Sequence, residues 1–163
     1  MKDTSFRALV LGNAADGGLP QWNCGCDNCK SARIAGSAIR PQTQSSLAVS
    51  IDGIGWTLLN ASPDMRSQLA ANPALHPKSL RGSPIQNVVL TNGDIDHIAG
   101  LLVLRERQAF TIHATPQIAA LLRENSVFAV LDKQMVTVQE VGLGVPFELQ
   151  PGLIAELVAV PGK

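Results

Sequence analysis

The stretch IQNVVLTNGDIDHIAGLL, residues 85–102, decides how the chain is read. Its first six residues, 85–90, form a short and largely apolar run of the kind that makes a buried strand. Polar residues crowd the end of that run. From Asp96 onward apolar side chains recur at helical spacing, at Ile98, Leu101 and Leu102, with Arg105 continuing the pattern. The polar cluster therefore belongs at a strand-to-helix junction, where side chains and backbone dipoles converge on one ion or ligand. Two carboxylates and an imidazole, Asp94, Asp96 and His97, are donors suited to iron, manganese or zinc. With vacant positions left over, they match the donor type of non-haem iron oxygenases. From spacing alone, the same residues also read as an N-cap Asp beside a polar loop.

Outward from this junction the same reasoning predicts a strand at 110–114, a helix at 116–124 and two further strands at 134–141 and 153–160. Upstream, FRALVL at 6–11 reads as a strand ended by Gly12 and Asn13. Residues 45–51 and 56–59 read as an antiparallel hairpin around Asp52-Gly53-Ile54-Gly55. Ser62-Pro63-Asp64 opens a helix that carries Met65, Leu69 and Ala70, with Ser62 as N-cap and Pro63 in the first helical position, and that stops near Asn72-Pro73. Asn60 and Asp64 follow the hairpin and are candidates to face the same pocket, although Asp64 is equally explained as an acid at the start of a helix. Paired strands followed by alternating strands and helices describe an α/β (α+β) protein, a mixed sheet with helices outside it. The chain stops at VAVPGK, 158–163, directly after a strand pattern, and so reads as the front part of a longer domain.

The second sharp signal lies in residues 12–29, GNAADGGLPQWNCGCDNC. Glycine, proline and asparagine are dense enough there to predict a long irregular loop with no regular element. Cys24, Cys26 and Cys29 place three thiols within six residues, a spacing that lets one loop wrap a single tetrahedral zinc. Free or reactive thiols, or a redox motif at Cys26-x-x-Cys29, are the competing readings. Three ligands leave a structural site open. The fourth is expected from His76 or His113, the remaining histidines besides His97, or from beyond residue 163. Taken singly, His76 and His113 read as hydrogen-bonded structural histidines.

Composition bounds the function. The 163 residues suit one domain, and 13 Lys plus Arg balance 13 Asp plus Glu, which argues against non-specific nucleic-acid binding. Hydrophobic residues make up 45% and aromatics only 4%, so the core is built from Ala, Val, Leu and Ile. No apolar run of membrane-spanning length and no cleavage pattern at the start appear, so no membrane insertion and a cytoplasmic setting are expected.

The run TNGDIDHIAG, 91–100, resembles the metal motif of the metallo-β-lactamase superfamily, Thr-His-x-His-x-Asp-His-x-x-Gly, with Asn92 and Asp94 in place of its first two histidines. Taken with GGLPQWNCGCDNC at 17–29, the chain is similar from Phe6 to its end to a family of pyrroloquinoline quinone (PQQ) biosynthesis proteins in that superfamily, whose members are close to twice as long. The resemblance implies an αββα sandwich. Residues 1–163 would be the N-terminal part of a single metallo-β-lactamase-like domain, with a zinc-binding loop at 12–29. It implies a structural zinc on Cys24, Cys26 and Cys29, completed by a histidine from the second half as in a related phosphodiesterase subgroup.

It further implies an active-site metal, iron, with Asp94, Asp96 and His97 among its ligands and as the catalytic residues. Asp96 and His97 match superfamily ligand positions directly, whereas Asp94 replaces a histidine and Asn92 is a poor ligand, which counts against two-zinc hydrolysis. The activity implied is oxygen-dependent hydroxylation of the tyrosine ring in a cross-linked Glu-Tyr intermediate made from a precursor peptide. Alternatives are carriage of the quinone or its precursor toward the periplasm, and phosphodiesterase-like hydrolysis. The partner expected is that small peptide-derived substrate, with no nucleic acid, and a homodimer is compatible with the sequence. The superfamily's remaining metal ligands come later than His113, so the isolated chain is expected to hold active-site metal weakly.

Overall fold

The computed structural model describes residues 5–161. Six short strands follow one another across a single mixed sheet: β1 (Arg7–Gly12), β2 (Ser46–Ser50), β3 (Trp56–Leu59), β4 (Ile85–Val89), β5 (Phe110–Ala114) and β6 (Val136–Glu140). The first two pairings are antiparallel and the next three parallel. Parallel neighbours require crossovers, and these carry α2 (Met65–Ala71), α3 (Ile95–Ile98) and α4 (Pro116–Glu124), while α1 (Asp27–Ala32) lies between β1 and β2. Leu58, Val88 and Ile112 are fully buried in the middle of three adjacent strands. They share one core with Met65, Ile98, Leu101, Ile118 and Leu122 from the crossovers. The core expected from Ala, Val, Leu and Ile also holds Trp56, Phe110 and Phe128, half of the chain's six aromatic residues.

Strand residues alternate between faces, so Asn87 and His113 lie opposite Val88 and Ile112. A two-stranded antiparallel sheet, β7 (Phe147–Gln150) and β8 (Leu153–Ala155), covers them. Asn87 Nδ2 donates to the Leu149 carbonyl at 2.8 Å, and the Phe147 ring stacks on His113 with centroids 5.2 Å apart.

Several local expectations are corrected. The strand expected over 153–160 ends at Ala155, with Val158 and Val160 exposed, and its partner β7 is a four-residue segment between two prolines, Phe147 and Leu149 alternating with Glu148 and Gln150. The irregular loop ends before residue 29, because Asp27–Ala32 forms a short helix in which Lys30 N bonds the Cys26 carbonyl. Ser62 does not cap α2. Asp64 occupies that position, and the buried Ser62 hydroxyl bonds Gln68 Oε1 at 2.9 Å. The Asp64 carboxylate accepts from the Gln44 backbone at 2.9 Å and therefore stays out of the 91–97 cluster. The helix expected from Asp96 to Arg105 is one turn, α3, which tightens into a 3-10 turn over Ala99–Leu102. Among the described residues no helix is long and apolar enough to cross a membrane.

Candidate metal centres

The acidic centre is built where β3 and β4 end side by side. Asn60, directly after β3, adopts a left-handed backbone (φ 63°), a conformation Asn tolerates better than most residues. From there its N–H donates to the Val89 carbonyl at 2.8 Å. Its Oδ1 accepts from both the backbone N–H and the hydroxyl of Thr91, at 2.9 and 3.0 Å. The next residues stitch onto α3: Ala61 N donates to the His97 carbonyl and Gly100 N to the Ala61 carbonyl, both at 2.8 Å. A Cβ on Gly100 would fall 2.2 Å from the Ser62 carbonyl oxygen, which explains a glycine in this place.

Within the loop so fixed, Asn92 Oδ1 receives the Asp94 backbone N–H at 3.0 Å and lies 2.5 Å from His97 Nδ1. His97 Nε2 points the other way, 3.7 Å from Asp96 Oδ2, and one donor atom from each of Asp94, Asp96 and His97 falls within 4.8 Å of the others. Donor atoms on one ion lie about 3–4 Å apart, so a modest adjustment of the exposed Asp94 closes the set. The His97 and Asp96 side chains retain 19% and 22% of their exposure, enough for access from solvent. The structure thus brings together all three residues singled out in the sequence. It adds one that sequence reasoning did not identify as a site-builder, Asn92 as an acceptor, and gives Asn60, a candidate for the same pocket by its place after the hairpin, its role as the clamp on Thr91.

The thiols of Cys24, Cys26 and Cys29 also lie within 4.8 Å of one another, close to the spacing of about 3.8 Å that three sulfurs take around one tetrahedral zinc. Their loop is held at its entry by reciprocal Leu19 and Gln42 backbone bonds of 2.9 and 2.7 Å. At its exit it is held by Arg33, whose two terminal nitrogens donate to the Cys24 and Gln21 carbonyls at 2.9 and 2.7 Å. The Cys26 thiol is held below its usual range by the Cys29 backbone N–H and by the neighbouring Cys24 and Cys29 thiols. At Cys29 a backbone bond from Gln21 favours the thiolate, but burial and the other two thiols outweigh it and push this group up. A dication among the three would favour all of them as thiolates.

Among the described residues no histidine joins the cysteines. His76 Nε2 lies on the Ala70 carbonyl at 3.0 Å, and His113 is buried with Nε2 on Asn87 Oδ1 at 2.9 Å. Both are structural, and neither supplies the expected fourth zinc ligand. Burial holds His113 below its usual range, in the neutral form.

The family model for the beta-lactamase superfamily domain matches residues 55–163. The chain is 57% identical over 162 residues to a protein of Rhizobium meliloti (strain 1021) named Coenzyme PQQ synthesis protein B, covering 99% of this chain and 54% of that protein. It is 55% identical to the protein of the same name from Methylorubrum extorquens (strain PA1), covering 97% and 53%. The chain therefore spans about half the length of the curated relatives it matches. Among solved structures, the Zn(2+)-bound PqqB from Methylobacterium extorquens superposes with a TM-score of 0.92 at 54% identity, over 94% of this chain and 56% of that one. A diphosphatase of the PhnP family superposes at 0.66 with 24% identity, over 88% of this chain and 53% of that one, and shows a shared fold.

Proposed function

This chain belongs to the beta-lactamase superfamily, and from that premise we propose that it works in coenzyme PQQ synthesis as part of a metal-dependent enzyme, an iron- and oxygen-dependent hydroxylase. The observation that carries the reading is the fate of Asn92. Its side-chain oxygen is already committed to the Asp94 N–H and to His97, so it stays off the metal, and the donor set narrows to Asp94, Asp96 and His97. Two carboxylates and one imidazole, one carboxylate more and one histidine fewer than the usual non-haem iron triad, are oxygen and nitrogen donors that leave positions open on iron(II), and an iron held there would supply oxygen activation. Asp96 and His97 hold their donor atoms partly buried, while Asp94 is exposed to solvent. The substrate is the tyrosine ring of a small peptide-derived Glu-Tyr intermediate, in the cytoplasm.

Cys24, Cys26 and Cys29 hold a structural zinc in this reading, a role supported by their mutual spacing, and the Methylobacterium relative is a zinc-bound protein. Elemental analysis of the longest natural form of the protein, purified without oxygen and compared with Cys24→Ala, tests the proposal. The expected result is a loss of about one zinc in the variant with about one iron retained. Two zincs and no iron would replace the hydroxylase by a hydrolase, and no second metal would replace it by a carrier of the quinone or its precursor.

A further inference from the structure

We propose that Asn92 is a positioning residue that holds His97 as the Nδ1–H tautomer, so that the Nε2 lone pair is directed at the metal side of the cluster. The inference deepens the metal reading of Asp94, Asp96 and His97 and rests on it. The argument starts from a group whose role is fixed by chemistry. The backbone N–H of Asp94 can only donate, and it lies 3.0 Å from one terminal atom of the Asn92 side chain, so that atom is the amide oxygen. The same oxygen faces His97 Nδ1, and an oxygen without hydrogens requires the nitrogen opposite it to carry the proton. Nε2 is then the bare nitrogen of a neutral ring, and it faces Asp96 Oδ2 at 3.7 Å. Two lone pairs turned toward each other repel, and a cation between them converts that repulsion into coordination.

The other two histidines show that this arrangement is particular to His97. Asn87 donates through Nδ2 to the Leu149 carbonyl, so its Oδ1 is the atom facing His113, and His113 must carry its proton on Nε2. His76 also turns Nε2 to a carbonyl, that of Ala70, and must donate from it. Among the described residues, His97 alone is held in the opposite tautomer, and it alone of the histidines is grouped with carboxylates. In the superfamily motif quoted above, the position of Asn92 is a histidine ligand. Here a side chain of comparable reach has left the donor set and orients a ligand five residues on.

The test uses the full 163-residue chain, labelled with nitrogen-15. Its three histidines make imidazole nitrogen spectra assignable, and alkaline pH keeps the rings neutral. In the unaltered chain, His97 is expected to show a protonated Nδ1 while His76 and His113 show a protonated Nε2. Asn92→Ala is expected to move His97 to the Nε2–H form, and Asn92→Asp, whose carboxylate accepts both bonds, to restore Nδ1–H. A His97 found as Nε2–H in the unaltered chain, or unchanged by Asn92→Ala, overturns the proposal. Should Asn92→Ala fail to fold, the unaltered chain decides alone.

Manganese(II), which prefers oxygen and nitrogen to thiolate, separates this proposal from the metal reading. It is expected to broaden the His97 signals and to bind about 10- to 100-fold more weakly to Asn92→Ala. Absence of broadening with the tautomer result intact would leave the Asn92 assignment standing and show that Asp94, Asp96 and His97 hold no metal without the ligands expected later than His113.

Discussion

Replacing Gly100 by Ala probes the join between the two chain segments that carry the acidic centre. The added Cβ would meet the Ser62 carbonyl oxygen at 2.2 Å and the Ala61 carbonyl carbon and oxygen at 2.7 and 2.8 Å. All three are backbone atoms of a buried segment, so no side chain can swing away, and the shortest contact is about 1 Å too close. Relief requires the Ala99–Leu102 turn to move off residues 61–62. That strains the two 2.8 Å bonds linking Ala61 to His97 and Gly100. Overpacking costs about 1–3 kcal/mol and two weakened backbone bonds about 1 kcal/mol each, for a loss of about 3–5 kcal/mol. With a urea slope of about 2 kcal/mol per molar, the midpoint falls by about 1.5–2.5 M. Fluorescence of the buried Trp56 follows the transition, against a constant background from the exposed Trp22. Gly25→Ala, where a Cβ meets nothing within 4 Å, serves as the control and should change stability by less than about 0.5 kcal/mol. A Gly100→Ala midpoint as high as that of the control would refute the reasoning.

Asn60→Ala should lower stability by about 2–4 kcal/mol in the same assay, since it leaves the Thr91 N–H and hydroxyl without their acceptor and keeps a left-handed backbone on a residue that disfavours it. Arg33→Ala should leave the urea midpoint nearly unchanged but weaken zinc binding about 10-fold in a competition titration, because the guanidinium grips the Cys24 and Gln21 carbonyls at the edge of the thiol cluster. For His113, burial disfavours the charged ring in the fold while the unfolded chain protonates it at about pH 6.5. Stability should therefore be level above that pH and fall as the pH drops below it, and urea midpoints of His113→Gln should show a shallower decline.

The parts of this fold that were legible in sequence are those decided by local pattern. IQNVVL, FTIHA and PQIAALLRE carry apolar periodicity strong enough to be placed to within a residue of the observed β4, β5 and α4. FELQ alternates apolar and polar residues but spans only four positions between two prolines, too short a pattern to be read alone, and as β7 it places the Phe147 ring on His113 and the Leu149 carbonyl on Asn87. Ser62 sits in a capping position by sequence, yet Gln68 takes its hydroxyl once the helix is formed. The helix after Asp96 is shortened by the contact of Gly100 with a segment almost forty residues earlier, which no window of local sequence contains. The site divides the same way. Its donors are neighbours in the chain and could be read directly, whereas the bonds by which Asn60 holds Thr91 and Arg33 holds Cys24, 31 and 9 positions away, emerge only from the folded backbone. The histidines expected to complete the zinc site were drawn from a list of three, and tertiary structure spends two of them elsewhere.

Because each donor set spans no more than six consecutive residues, unfolding scatters neither of them. The unfolded chain still presents three thiols, and elsewhere two carboxylates with an imidazole, as short chelating peptides. A metal therefore stabilises the fold only by the ratio of its affinities for the two states, which Arg33 sets at one cluster and Asn60 with Asn92 at the other. Removing the metal with a chelator should thus shift the melting temperature far less than the tightness of binding would suggest, and the chain should be able to take up zinc before it has folded.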